Sequence, residues 1–144
     1  MLHKSMAKQM LKRHEGLRLT VYECTAGKKT IGYGRNLEDR GITEQEAEQL
    51  LNNDIQAIEE QLRNSFDFYM GLTDTRKAVL IDLTFNIGLA GVKGFKKMLN
   101  ALHKQNYVEA KKQLLDSRYA TQVPNRALEL AELLEGAQGQ WNQT

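Results

Sequence analysis

The sequence predicts an α+β fold in which one short β hairpin interrupts a chain otherwise made of helices. Apolar residues recur at helical spacing in most stretches. One stretch alone, Leu17, Leu19 and Val21 between Arg18, Thr20 and Tyr22, alternates with the period of a strand. With 144 residues, 41% of them hydrophobic and a single proline, the chain is long enough for a core and short enough for one domain.

Leu2, Met6, Met10 and Leu11 define a first helix over 3–14, and Gly16 is its stop. Glu15 therefore sits at a helix C-terminus. The strand that follows turns at Thr25-Ala26-Gly27-Lys28, and a second strand runs from Thr30 to Gly34. Thr43 and Glu46 have the spacing of a capping box, and Ala47, Leu50, Leu51, Ile55, Ile58 and Leu62 stripe one face of a long helix over 44–64. Ala78, Val79, Leu80, Ile81, Leu83, Phe85 and Ile87 are apolar on nearly all sides, the mark of a central buried helix ending at Gly88.

Gly91 and Gly94 break the chain before a helix marked by Phe95, Met98, Leu99 and Leu102, and Val108, Ala110, Leu114 and Leu115 mark the next. Pro124 suits the first turn of a last helix, with Leu128, Ala131, Leu133 and Leu134 facing inward and Gly136 closing it. The expected organisation is a small hairpin lobe at 15–43, a connecting helix at 44–64, and a helical lobe at 65–144 that also takes in the first helix, 3–14.

Net charge is only +2, but residues 1–36 hold eight Lys or Arg against two acids, while residues 37–67 hold nine acids against two bases. The basic third suits an anionic polymer such as cell-wall glycan with its peptide carboxylates, or nucleic acid. The acidic block falls on a predicted exposed helix and reads as a solvated face, as do Lys93, Lys96, Lys97 and Lys104. One cysteine excludes an intrachain disulfide. No segment reaches ~20 apolar residues and the N-terminus lacks a signal-peptide core, so the expected site of synthesis is a cytoplasm. Three scattered histidines and one cysteine form no metal-binding pattern, phosphate-loop and dinucleotide motifs are absent, and no cofactor is implied. Cys24 with His14 lacks a third, orienting residue for thiol catalysis.

The chemistry concentrates between Glu15 and Gly34, where the spacing Glu15-x8-Cys24-x5-Thr30, closed by Ile31-Gly32-Tyr33-Gly34, sets an acid, a thiol and a hydroxyl around the hairpin. Alone, each has an ordinary reading: a solvated Glu, a small buried Cys, a strand Thr. Only their joint placement reads as an active site. That signature resembles the phage lysozymes (endolysins), in many of which the middle position is Asp. The resemblance continues through Arg76-Lys77-Ala78-Val79-Leu80-Ile81-Asp82-Leu83-Thr84-Phe85-Asn86-Ile87-Gly88, Gly91-Val92-Lys93-Gly94-Phe95, Ser117-Arg118-Tyr119, Gln122 and Pro124-Asn125-Arg126-Ala127, blocks similar to those of the T-even phage lysozymes.

The resemblance implies a lysozyme-like two-lobed fold and hydrolysis of the β-1,4 bond between N-acetylmuramic acid and N-acetylglucosamine in peptidoglycan. Such chemistry needs a proton on the leaving oxygen and a nucleophile or oriented water on the other face of the sugar. By the match, Glu15 is the proton donor, Cys24 the second catalytic group, Thr30 the residue that positions water or sugar, and Arg126 a partner of Glu15. The negative end of the helix dipole disfavours a carboxylate at Glu15, and a paired Arg126 opposes that effect. Gly32 and Gly34 allow a sugar close to the backbone. Phe85 and Asn86 fall on the helix that lines the cleft in that family, and Tyr119 and Gln122 on the loop flanking it. The expected partner is the glycan strand, not nucleic acid or a stably bound membrane. The expected form is a monomer that stays in the host cytoplasm until a separate membrane-permeabilising protein gives it access to the wall.

Two departures stand out. Arg35 replaces a His after Gly-x-Gly, so the ion pair expected there is missing or rebuilt, and Met98 stands where close relatives have a polar cleft residue. The non-enzymatic readings are a catalytically reduced glycan-binding domain, serving as a structural part of a particle, and a basic helical nucleic-acid module. The joint presence of Glu15, Cys24 and Thr30 argues against both.

Overall fold

The computed structural model describes residues 2–139; residues 140–144 of the expected helical lobe lie outside them. The fold is α+β, a small antiparallel sheet with helices before and after it. The chain divides into two compact units between Leu50 and Leu51, within the helix Glu44–Ser65.

The first unit opens with α1 (Leu2–Glu15). Gly16 ends it at φ +71°, its N–H bonding the carbonyl of Lys12 at 3.1 Å, so a left-handed residue closes the last turn as the sequence required. Strands β1 (Arg18–Glu23), β2 (Lys29–Gly32) and β3 (Arg35–Asn36) form one sheet in that order. Tyr22 pairs with Thr30 and Glu23 with Lys29; Arg18 pairs with Gly32, so β1 carries a register shift between Arg18 and Tyr22. On the other side Thr30 pairs with Asn36 and Ile31 with Arg35.

Beyond the expected hairpin, the third strand and α2 (Leu37–Arg40) are additional elements. Their cause is local. The Asn36 side chain accepts the Asp39 N–H at 3.0 Å, an N-cap that starts a helix after only two residues of strand. The capping box at the start of α3 (Glu44–Ser65) is complete: Glu46 N–H donates to Thr43 Oγ1 at 3.1 Å, and Thr43 N–H to Glu46 Oε1 at 2.9 Å.

The second unit packs its core around α4 (Asp74–Lys93), α5 (Lys96–His103), α6 (Tyr107–Leu115), α7 (Arg118–Gln122) and α8 (Pro124–Glu135). Leu62, Leu80, Leu83, Leu102, Leu114 and Leu134 are fully buried there, each stabilising by roughly 1.5–3 kcal/mol relative to exposure. Gly88, at φ 80° and ψ 164°, interrupts α4 where the sequence placed a helix end, and a second helical stretch carries buried Val92 onward to Lys93.

Three apolar assignments change. α4 is buried on one side only, with Ala78 exposed and Phe85 51% exposed. Leu128 is 47% exposed, and Ala127 and Leu130 join Ala131, Leu133 and Leu134 on the inner face of α8. Val108 and Leu115 face outward on α6, leaving Ala110 and Leu114 inside. Arg76 ties the start of α4 to the end of α8: its Nε and Nη2 donate to the carbonyls of Leu134 and Glu135, each at 2.8 Å, while its guanidinium stacks 3.4 Å from the Tyr107 ring. No single helix among the described residues is long and apolar enough to cross a membrane.

Candidate active site

Glu15, Cys24, Thr30 and Gly34 all lie in the first unit. Glu15 is the last residue of α1, and its carboxylate rests on the backbone of Gly34. A Cβ placed on Gly34 would lie 2.8 Å from Glu15 Oε2, 3.0 Å from Cδ and 3.3 Å from Cγ. Gly34 also sits at φ +75°. Both facts require glycine there. The missing side chain that allows a sugar close approach also seats the acid.

Cys24 is half-buried at the mouth of the hairpin turn. Its N–H donates to the Lys28 carbonyl at 2.9 Å and its carbonyl accepts the Gly27 N–H at 2.8 Å. The turn aims further donors at the sulfur. The Lys28 N–H and then the Ala26 N–H hold the thiol below its ordinary range, burial opposes them, and the Thr30 hydroxyl adds to the lowering. The sulfur is thereby disposed toward the thiolate, the charge an Asp would carry at this position.

Thr30 is 3% exposed, and its hydroxyl donates to the Lys28 carbonyl at 2.8 Å. A hydroxyl has one proton. With it on Lys28, the oxygen can accept the Cys24 S–H; with Cys24 ionised, the proton turns to the sulfur. Thr30, in β2, thus stands with its hydroxyl beside the Cys24 sulfur at the end of the turn. Cys24 is the more exposed of the two.

Phe85, Asn86, Tyr119, Gln122 and Arg126 lie in the second unit. Phe85 and Asn86 are exposed on α4, and Gln122 is exposed at the end of α7. The expected loop at Tyr119–Gln122 is this short helix, begun by Ser117, whose hydroxyl accepts the Ala120 N–H. Tyr119 is 7% exposed with its ring edge-on to Phe95 at 6.2 Å, so it packs as a core residue. Burial raises its hydroxyl above the usual tyrosine range. Met98 is buried in the core as well, which is the physical reason for a thioether in place of a polar group. Arg126 donates through Nε and Nη2 to Asp82 Oδ1, both at 2.9 Å. Asp82 went unremarked in the sequence; its signal was a lone acid inside an apolar helical run. An apolar concavity of about 430 Å³ lies beside this pair, lined by Leu51, Ile55, Ala78, Ile81 and Phe85.

The ion pair beside Gly-x-Gly is rebuilt. Arg35 makes a two-pronged contact with Glu46, Nη1 to Oε1 at 2.9 Å and Nη2 to Oε2 at 2.7 Å, and Nη1 also reaches the Gly41 carbonyl at 3.1 Å. The Arg35 hydrogen bonds, helped by the Thr43 N–H, hold the Glu46 carboxyl down at about 2.

The phage lysozyme family model matches residues 12–130, from the last turn of α1 into α8. The chain belongs to the phage lysozyme family. It is similar to "Probable T4-type lysozyme 1" of Dictyostelium discoideum, with 27% identity over 160 residues covering 91% of this chain and 94% of that protein. An "Endolysin" of Acyrthosiphon pisum secondary endosymbiont phage 1 is 38% identical over 84 residues, 56% of each chain. The "Pre-baseplate central spike protein Gp5" of Enterobacteria phage T4 is 28% identical over 151 residues, covering 85% of this chain and 26% of that one.

Proposed function

We propose that this lysozyme is a muramidase that hydrolyses the β-1,4 bond between N-acetylmuramic acid and N-acetylglucosamine in peptidoglycan and lyses a host bacterium from within. The observation that carries this reading is the presence in one compact unit of an acid, Glu15 set against Gly34, and a thiol, Cys24, whose pKa the hairpin amides and the Thr30 hydroxyl lower.

In the proposed reaction, Glu15 gives its proton to the glycosidic oxygen as the C–O bond breaks, so N-acetylglucosamine leaves with a free hydroxyl. Water attacks the anomeric carbon from the other face, and its proton passes to the Cys24 sulfur. The Cys24 sulfur already accepts from amides and a hydroxyl. Those donors stabilise negative charge on the sulfur, which orients the attacking water. This favours the water route, with inversion at the anomeric carbon, over a thioglycosyl intermediate. Thr30 acts through Cys24, since it is almost fully covered. Phe85, Asn86 and Gln122 are proposed contacts to the glycan, while Arg126, expected beside Glu15, is engaged by Asp82.

We place the chain in the host cytoplasm as a monomer until a separate protein permeabilises the membrane. The likeness to a baseplate spike protein favours a second reading, a lysozyme-like part of a phage particle. Turbidity of a cell-wall suspension tests the proposal. The wild-type chain clears it, while Glu15→Gln folds and does not, a loss of about 10²–10⁴-fold for a missing general acid. Unchanged turbidity with the wild-type chain would leave only a binding role, and wild-type clearing by Glu15→Gln would remove Glu15 from the chemistry.

A further inference from the structure

The backbone beneath Glu15 belongs to the tight turn between β2 and β3. β3 is two residues long, and the segment leading into it carries Gly32 at φ +71° and Gly34 at φ +75°. Residues with that conformational freedom need an outside restraint to keep one geometry. The next residue supplies one. Arg35 is anchored on three oxygens, the Gly41 carbonyl and both oxygens of Glu46. Glu46 stands in the first turn of α3, on the regular backbone of a 22-residue helix.

From these contacts we infer that the Arg35–Glu46 clamp is a positioning device for Glu15, acting through the backbone of Gly34. The inference rests on the proposed role of Glu15 as proton donor. The mechanical line runs from the first turn of α3 through Glu46 and Arg35 to Gly34, and from there to the carboxylate that a Gly34 Cβ would meet at 2.8 Å. The pair has the bidentate form that fixes orientation as well as distance, which a lysine ammonium cannot reproduce. Ile31, Leu37, Ile42 and Leu50 line the concavity beside it. A shift of the Gly34 backbone removes the surface against which Glu15 is set. A catalytic group moved by 1 Å loses on the order of 10²-fold in rate.

The test compares Arg35→Met and Arg35→Lys with Thr43→Ala, which removes one half of the capping box and leaves the Arg35 fork in place. All are assayed on soluble peptidoglycan fragments below their melting temperatures. Both Arg35 variants are expected to lose about ten- to a hundredfold in kcat with little change in KM, Arg35→Lys no better than Arg35→Met, while Thr43→Ala melts lower but keeps its kcat. A second readout needs no activity. Glu15→Gln should move the Gly34 amide NMR signal in the otherwise wild-type chain, because the two groups are in contact, and in the Arg35 variants that change should shrink. Arg35 variants with wild-type kcat and an undiminished Gly34 response would overturn the inference, as would equal kcat losses in Thr43→Ala. Should the wild-type chain prove inactive on peptidoglycan, the proposed function fails, and the Gly34 signal alone decides whether the clamp positions Glu15.

Discussion

Gly34→Ala separates the cost of backbone strain from the cost of moving the catalytic acid. At φ +75° an alanine is strained, by about 1–2 kcal/mol. Gly27→Ala at φ +78° meets the same strain with nothing within 4 Å of its Cβ. The Gly34 methyl, in contrast, would sit 2.8 Å from Glu15 Oε2, where ordinary carbon–oxygen contacts begin at about 3.4 Å, since dispersion gives way to repulsion inside that distance. The carboxylate is the far end of a flexible side chain, so it retreats by about 0.5 Å or rotates away at small energetic cost. The melting temperatures of the two variants should therefore fall alike, by about 3–8 °C for a chain of this size. Their lytic rates should not. Gly34→Ala should lose about 10–10²-fold, because misplacement on this scale is costly in a reacting pair, and Gly27→Ala should keep its rate. The assay is wall-suspension turbidity with melting followed by circular dichroism. Equal lytic rates in the two variants, or a Gly34→Ala structure with Glu15 unmoved, would refute the reasoning.

Cys24 should be alkylated by iodoacetamide with a half-maximal pH below that of a free thiol, and Thr30→Val should raise that midpoint only part of the way, because the Lys28 and Ala26 amides remain. For the same site, Cys24→Asp should stay active and Cys24→Ala should be severely impaired; the reverse order would remove the electrostatic role. Glu46 has a folded-state value of about 2 against an ordinary 4.5, so its contribution to stability is complete above pH ~4.5 and is lost as pH falls toward 2. The melting-temperature gap between wild type and Arg35→Met should therefore be constant at neutral pH and close across that acid window; a gap independent of pH would contradict the pairing. Gln105 holds φ 59° at the end of α5 and is the one non-glycine residue with positive φ among those described. Gln105→Gly should thus stabilise, by about 0.5–1 kcal/mol in denaturant melts, and destabilisation would show that its side chain contributes more than its backbone costs.

Elements with a chemical punctuation mark were legible in the sequence. Gly16, the Thr43–Glu46 box and Pro124 each act within four residues and begin or end a helix where spacing placed it, and Gly88 breaks α4 at the residue where a helix end was expected. The candidate site was legible as a spacing, because the hairpin brings Cys24 and Thr30 together over a turn only a few residues long. What was hidden depends on distance along the chain. Arg35 and Glu46 are 11 residues apart and Arg126 and Asp82 are 44 apart, and no periodicity marks such pairs. Leu128 and Tyr119 were misjudged for a related reason: residue type gives a side chain's preference for burial, but helix phase decides which apolar residues receive it. At Gly34 the sequence shows only the missing side chain, not that Glu15 is the neighbour set against it.

The most direct test of the account is the identity of the new reducing ends released from purified peptidoglycan. Digestion is followed by borohydride reduction, acid hydrolysis and mass spectrometry of the amino-sugar alcohols. The account predicts muramitol, in amounts that grow with time for the wild-type chain and stay at background for Glu15→Gln. Glucosaminitol in its place, or muramitol released equally by both proteins, would contradict it.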